Sequence, residues 1–501
     1  MESNAPATPR EISPQPKSLG QSLLLNSGVG VDQTSQCSDL PTAVFIFRRD
    51  LRIQDNTSLL CCAENYAIYP IFILCPEQVN RNFYKSSHCI QYMLCALQEL
   101  KAQIVAQEGT LHVFYGDVID VLGAVCDALH PKAVFFNRDY SPYAVERDEG
   151  IAAFCASRKI ACETFHDMSL QKKFLEHKAD GEPLLNFEDY YNYALSQEVD
   201  SPDAPVHYRW AEPPGSVKYL ITDFLMFCQE NRFFRFKQNL ACKCDRADFF
   251  AHFRQNAKNL ISGQLSCLLR FGVISPREVY KIYQELNMTN SAICKNLFFR
   301  DFMYYVACYY PRLFQGDPLP ADVANRRDDW DYNDELFDLW QEGRTGFPLI
   351  DATMRKLRAC GFMEHKLRFF VALFLVRELN LDWRDGEKYF STTLIDIDWI
   401  LNLFNWIGVG GATIESSKLK QGFNFWRTQR EFDPQCKFIK EWVPELENVS
   451  PEDIHDWRAR ANRHGTLGYP PPVVPDYDSE KVLLHSKEFE LEKKIKQFVL
   501  N

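Results

Sequence analysis

The sequence has no long hydrophobic run, no paired C-x-x-C motif and no excess of positive charge. Its longest nearly unbroken apolar stretch, FFVALFLVREL from Phe369, is well short of the roughly 18 residues that a membrane-spanning helix needs, so we expect no membrane span. The 17 cysteines are scattered, and only Cys360 and Cys436 lie beyond Cys308. This argues against a cysteine-ligated iron–sulfur cluster in the C-terminal half. It is typical of reduced thiols in an intracellular protein, and we expect no metal.

The formal net charge of −11 works against indiscriminate binding to nucleic acid, because phosphate affinity comes mainly from clustered Lys and Arg. Any contact with DNA must therefore use a local basic patch, and a solvated mixed-charge face is the alternative interpretation for each of its members. The candidates are Lys418, Lys420, Arg427, Arg430, Lys437, Lys440, Arg344 and Lys366.

The pattern of apolar residues divides the 501-residue chain into two main parts. In residues 42–170, short apolar runs at 43–47, 66–74, 111–116 and 132–137 alternate with helical stretches, which predicts a doubly wound parallel sheet. From residue 217 to 480 apolar residues recur at i, i+3, i+4 and i+7, which predicts an all-helical domain. Ser275-Pro276-Arg277-Glu278 is typical of a helix start. The fold class is thus α/β plus all-α.

Three further segments complete the expected organisation. Residues 1–41 are rich in Pro and Ser and are expected to be a disordered lead-in. Residues 171–216 read as an interdomain linker, and residues 481–501 as a C-terminal helix or tail. The lead-in has only Arg10 and Lys17 against four acids, so a nuclear or cytoplasmic location is favoured over an organelle.

Several ordered phrases resemble the photolyase/cryptochrome family and, within it, the DASH-type cryptochromes most. The resemblance covers residues 42–475 and implies an N-terminal antenna domain and a C-terminal FAD-binding domain. The phrases are FIFRRDLRIQDN (45–56), NRDYSPYAVERD (137–148), ISGQLSCLLRFGVISPRE (261–278), WQEGRTGFPLIDATMRKLRACGFMEHKLRFF (340–370), LNLDWRDGEKYF (379–390) and LIDIDWILNLFNW (394–406).

The resemblance implies a set of flavin-binding residues. Arg368 and Asp396 match a pair beside the isoalloxazine ring, Asp398 lies near the pyrimidine edge, and Asn402 faces flavin N5, where photolyases and DASH-type cryptochromes carry Asn. The family's Arg or Lys in the pyrophosphate loop is Gln264 here, which removes one charge contact. Without the family match, Asp396 and Asp398 would read as helix-capping acids. The other members are Ser262, Gly263, Leu265, Ser266 and Arg300.

Trp406, Trp383 and Trp330 match the family's tryptophan electron-transfer chain, with Trp406 nearest the flavin and Trp330 at the surface. The resemblance implies that photoexcited oxidised flavin is reduced through them. The alternative is that they are ordinary core anchors, since buried indoles supply large apolar area.

The positions that contact a flipped-out DNA lesion in cyclobutane-dimer photolyases depart from the family pattern. They are Asn296, Phe299, His365 and Gly408 here, which removes a carboxylate and two stacking indoles. His365 matches the catalytic histidine of (6-4) photolyases, where it would act as a general acid, but the second histidine of those enzymes is Phe369. Lys366 is a further candidate substrate contact.

The sequence therefore favours a cryptochrome-like, FAD-dependent blue-light photoreceptor with an unknown signalling protein as partner, acting as a monomer. The alternative is a light-dependent photolyase for cyclobutane dimers or, less favoured, (6-4) products, so whether the chain is an enzyme is left open. A flavin-free scaffold is the third hypothesis. A second cofactor, a pterin of the methenyltetrahydrofolate type, is implied by Glu146, for which a salt-bridged surface residue is the alternative.

Overall fold

The structure, a computed structural model, describes residues 40–79, 86–173, 183–231, 233, 262–310, 330–410 and 424–474. Its N-terminal part is a five-stranded sheet in the order β3-β2-β1-β4-β5, with every neighbouring pair parallel. The strands are β1 (Thr42–Phe47), β2 (Ala67–Leu74), β3 (His112–Tyr115), β4 (Ala133–Asn137) and β5 (Ala161–Phe165). The helices among them are α1 (Thr57–Asn65), α2 (Pro76–Val79), α3 (Ser87–Val105), α4 (Val118–Leu129) and α5 (Pro142–Ser157).

Both faces of the sheet are buried, as continuous apolar strands require. In β1, Val44 and Ile46 join a core with α4 and α5, whereas Phe45 and Phe47 join a core with α1 and α3. The predicted doubly wound sheet is therefore confirmed. The strand order reverses between β1 and β4, so their carboxyl ends open into the crevice where such sheets bind ligands.

The C-terminal part is helical, as predicted. Among the described helices, none is both long and apolar enough to cross a membrane. The helices are α6 (Phe187–Ser196), α7 (Phe224–Glu230), α8 (Ser262–Arg270), α9 (Pro276–Glu285), α10 (Ala292–Tyr309), α11 (Asp334–Glu342), α12 (Pro348–Cys360), α13 (His365–Arg377), α14 (Trp383–Thr393), α15 (Trp399–Val409), α16 (Phe425–Phe432), α17 (Lys437–Trp442), α18 (Pro451–His455) and α19 (Trp457–Arg460), with short 3-10 turns at Pro444–Leu446 and Ala461–His464.

A buried ion-pair cluster joins the sheet to helix α9. Ser275 and Glu278 cap this helix reciprocally, which confirms the predicted helix start. Arg277, fully buried, donates to Asp55 Oδ2 at 2.9 Å and to Asp167 Oδ1 at 2.8 Å. Since removing one partner of such a pair costs about 3–5 kcal/mol, Arg277 fixes α9 against the sheet.

Candidate functional site

A cavity of about 270 Å³ lies among helices α8, α10, α13, α14 and α15, and we call it the helical cavity. It brings together most of the candidates that the sequence singled out over more than a hundred residues. Those lining it are Leu265, Ser266, Asn296, Phe299, Arg300, His365, Arg368, Phe369, Asp396, Asp398, Asn402 and Trp406. Ser262, Gly263 and Gln264 begin α8, but their side chains lie outside the described part of the structure.

Arg368 and Asp396 form an ion pair at the cavity wall. Arg368 Nη2 lies 2.9 and 2.7 Å from the two carboxylate oxygens of Asp396, and its Nε donates to Met363 O at 2.9 Å. Ser266 Oγ donates to Asp396 as well. These bonds fix the direction of the guanidinium and compensate a carboxylate that is only 5% exposed.

Asn402 is held by two residues that the sequence reasoning missed. Its Nδ2 donates to Glu387 Oε1 at 2.9 Å and lies 3.0 Å from Ser391 Oγ, and Ser391 Oγ donates to the same Glu387 oxygen. The amide oxygen is thereby left as the group available to a ligand. Burial raises the pKa of Glu387, with the bonds from Ser391 and Asn402 acting in the opposite direction. The i, i+4 spacing of Glu387 and Ser391 on α14 was the only sequence signal for this pair.

Asp398 is the N-cap of α15 and accepts from Leu401 N at 3.3 Å. Its Oδ2 also accepts from Arg49 and from the hydroxyl of Tyr304. Burial alone raises the pKa of Asp398, but Arg49, Arg270 and the Tyr304 hydrogen bond outweigh burial and hold the pKa well below its usual range. Asp398 is therefore an ionised carboxylate in the cavity wall.

Two of the three candidate tryptophans lie on α14 and α15, and each packs against a glycine on or at the end of the other helix. A Cβ atom built on Gly386 of α14 would lie 2.2 Å from Trp406 Cη2, and one on Gly410, which ends α15, would lie 2.4 Å from Trp383 Cδ1. Any side chain larger than that of glycine at these two positions would therefore clash with an indole ring. Trp330 precedes Asp331, whose N–H donates to Asn380 O at 2.9 Å near the start of α14. Contrary to the expected surface position, Trp330 is only 7% exposed.

Three of the four residues at the lesion-contact positions, Asn296, Phe299 and His365, line the side of the cavity near α10 and α13. Phe299 packs edge to face on Phe187 of α6, with ring centroids 4.8 Å apart, so its ring is fixed from outside the cavity. Lys366 does not line the helical cavity. A Cβ on Gly408, which does not line the helical cavity, would meet no atom of the described residues within 4 Å.

The side chain of His365 is exposed and lines the helical cavity. Partial desolvation, together with the charges of Arg368 and Lys366 and against the pull of Asp396, lowers the pKa of His365 to about 4. The imidazole is neutral at pH 7 and has no proton ready to give, which does not favour a role as general acid.

A second cavity, of about 410 Å³, lies at the carboxyl ends of β1 and β4, and we call it the sheet-edge cavity. Tyr143, Ala144 and Arg147 of α5 line it, whereas Glu146 is exposed and does not. At 100° per residue, Ala144 and Arg147 share a helix face from which Glu146 is turned away. Arg270, Ile397 and Asp398 line both cavities, so the two share a wall.

The candidate basic patch is only partly described. Lys418 and Lys420 lie outside the described residues. Of the others, Arg344 pairs with Glu342 at 2.9 Å and Arg427 with Glu431 at 3.0 Å, which offsets their charge toward a phosphate backbone.

Asp301, next to the cavity residue Arg300, titrates near neutrality. It is 2% exposed, accepts from Leu170 N at 2.7 Å, and burial raises its pKa to about 7 against the pull of Arg300. The folded state binds this proton more tightly than the unfolded chain, so the group's contribution is present below about pH 4 and is lost as the pH rises through 7. Between pH 5 and 8 the free energy of unfolding of the wild type should fall by about 2 kcal/mol more than that of Asp301→Asn, measured by urea titration at each pH. Parallel profiles would contradict this.

The described lining of the helical cavity fits the ring system of a flavin. Phe390, Leu394 and Trp406 supply apolar walls, and the Asn402 oxygen supplies a polar contact. Arg270 Nη1 is buried with no hydrogen-bond partner among the described residues. Because an unsatisfied buried donor costs about 1–3 kcal/mol, a ligand that accepts from it is favoured.

Two family models match the chain. The model described as DNA photolyase matches residues 43–206, and the model described as FAD binding domain of DNA photolyase matches residues 293–487.

Full-length relatives carry both kinds of name. A deoxyribodipyrimidine photo-lyase of Buchnera aphidicola is 28% identical over 87% of this chain and 96% of its own length. Cryptochrome-2 of Arabidopsis thaliana is 26% identical over 87% of this chain and 77% of its own. The crystal structure of an archaeal photolyase from Sulfolobus tokodaii superposes with a TM-score of 0.74 at 31% identity, covering 91% of this chain and all of that one.

Proposed function

Because this chain belongs to the photolyase/cryptochrome family, we propose that it is a cryptochrome-like blue-light photoreceptor that binds FAD in the helical cavity. When bound, FAD supplies the absorption of blue light and the electron acceptor. The residues of the chain position the cofactor, supply an electron and set the charge around it.

One contrast carries the proposal. Trp406 and Trp383 are packed into glycine-lined places between α14 and α15, so the proposed electron path is built into the helix contact. The lesion-contact positions, in comparison, offer an amide, an open glycine and a neutral imidazole. The chain thus keeps the parts that photoreduction needs and lacks the usual partners of a flipped base.

The polar residues have separable roles in this proposal. The Glu387–Ser391 pair holds the Asn402 Nδ2, so that the amide oxygen would be available to accept a hydrogen bond from the cofactor. Arg368, fixed by Asp396 and Met363, offers donors to the ring edge. Trp406 in the cavity wall is the electron donor, and Trp383 then donates an electron to the oxidised Trp406.

A photolyase is the second candidate, since relatives of that name match over nearly their whole lengths. His365, which is exposed and lines the helical cavity, lies at a position where a lesion would enter. Binding would rest on DNA contacts other than the usual glutamate and indoles.

The two candidates separate in one experiment with purified FAD-loaded protein. Under blue light with an external reductant, the photoreceptor proposal expects bleaching of oxidised flavin and no loss of cyclobutane dimers or (6-4) products from UV-damaged oligonucleotides relative to a dark control. Lesion loss under reducing conditions would replace it with the photolyase assignment. Protein that takes up FAD but does not bleach would overturn the photoreduction step.

We further propose that the sheet-edge cavity holds the second, light-harvesting cofactor. The guanidinium groups of Arg147, which is paired with Asp148 at 3.0 Å, and of Arg270 both line this cavity and favour a ligand with an acidic group on a flat ring. The S. tokodaii photolyase contains two FAD molecules, which makes a flavin a rival to the pterin. Chromophore extraction and mass spectrometry of the purified protein distinguish them.

A further inference from the structure

Arg49 stands at the wall between the two cavities. It lines the sheet-edge cavity just beyond the end of β1, and its Nη2 donates to the Oδ2 atom of Asp398 in the wall of the helical cavity. These two residues are 349 positions apart in the chain. The contact is therefore a direct link from the sheet to the start of α15.

The guanidinium of Arg49 is held on several sides. Its Nη1 lies 3.0 Å from Asp139 Oδ1, which follows β4, and its Nη2 donates to the hydroxyl of Tyr304 at 2.9 Å. Its Nε donates to Arg270 O at 3.4 Å. The Arg49 guanidinium, bound to the carboxylate of Asp139 on the sheet side and to that of Asp398 on the helical side, has little freedom to move.

Asp398 in turn fixes the first turn of α15, the helix whose residues line the proposed cofactor site. Its Oδ1 caps the N–H of Leu401, and α15 then presents Asn402 and Trp406 to the helical cavity. Weakening such a cap loosens the first helical turn. Arg49 also compensates the negative charge of Asp398 beside the cofactor.

We propose that Arg49 is a positioning residue through which the sheet fixes the start of α15 and the charge next to the flavin. The electrostatic half of the proposal rests on FAD occupying the helical cavity. Without this cation, Asp398 is compensated by Arg270, Arg300 and the Tyr304 hydroxyl. The site beside the cofactor becomes more negative, and a nearby negative charge opposes the addition of an electron. The flavin midpoint potential should fall.

The test compares wild type, Arg49→Gln, Arg49→Lys and Arg138→Gln. Arg138 directly follows β4, but its Nε donates to Thr164 Oγ1 at 2.7 Å and it lines neither cavity, so it is the control. Two quantities are measured: the flavin midpoint potential of loaded protein, and hydrogen exchange of the 399–409 peptide in FAD-free and FAD-loaded protein.

We expect R49Q to show a more negative potential and faster exchange at the start of α15. R49K should recover the potential, because the charge remains, but not the slow exchange, because the fork is lost; R138Q should match wild type in both. Wild-type values in R49Q overturn the proposal. If wild type retains no FAD, the proposed function fails, and exchange in FAD-free protein still decides whether Arg49 positions α15. If R49Q does not fold, unchanged exchange in R49K overturns it.

Discussion

Replacing Gly386 by alanine should destabilise the protein and suppress light-driven flavin reduction. The added Cβ would lie 2.2 Å from Trp406 Cη2 and 2.6 Å from Leu375 Cδ2, closer than real Cβ contacts allow. Either α14 withdraws from α15 or the Trp406 indole leaves its place, and overpacking of this kind costs about 1–3 kcal/mol. We expect that loss in urea denaturation and slower bleaching of bound FAD under blue light.

Gly123→Ala is the matched control. Gly123 also lies inside a helix, α4, but the nearest atom to its Cβ would be 3.9 Å away on Phe154. Alanine is the better helix former by about 1 kcal/mol, so this variant should be slightly more stable than wild type and bleach normally. The two substitutions thus have opposite expected signs. Equal stability of the two variants would contradict the close contact between Gly386 and Trp406.

The sequence predicted the strands of the sheet that are buried on both faces. The apolar runs at 43–47, 66–74, 111–116 and 132–137 coincide with β1 to β4. The fifth strand, β5, carries Glu163 and Thr164 and lies at the sheet edge, with its residues exposed or half-buried. An edge strand needs no continuous apolar run, so hydrophobicity alone gave no signal for it.

The sequence predicted those site residues that lie in recognisable motifs. It did not predict those that tertiary contacts bring to the site. Arg368, Asp396 and Asn402 could be assigned from the family phrases, and the helical cavity gathers them. The partners Arg49 and Tyr304 come from elements far from Asp398 in sequence, so no local pattern marks them. Glu146 was also assigned from a family phrase; it is exposed on α5 and does not line the sheet-edge cavity, so its contact with a pterin stays a prediction.

Replacing Trp406 by phenylalanine should remove most of the light-driven reduction while leaving FAD bound. Trp406 is 2% exposed, lines the helical cavity and packs against Phe390 with ring centroids 5.0 Å apart. Phenylalanine keeps much of the apolar contact but is a far poorer electron donor than indole. A barrier higher by about 1.4 kcal/mol slows a step about tenfold, and we expect at least that slowing in the bleaching of oxidised flavin under blue light.

Trp426→Phe separates electron donation from packing. Trp426 is 6% exposed, stacks on Phe347 at 4.8 Å, and its Nε1 has no hydrogen-bond partner among the described residues, so its truncation creates a comparable gap without losing a bond. Both variants should lose similar stability, about 1–3 kcal/mol, but only Trp406→Phe should bleach slowly. Equal slowing in both would assign the effect to helix packing. Normal bleaching in Trp406→Phe would mean that the flavin takes its electron from another donor.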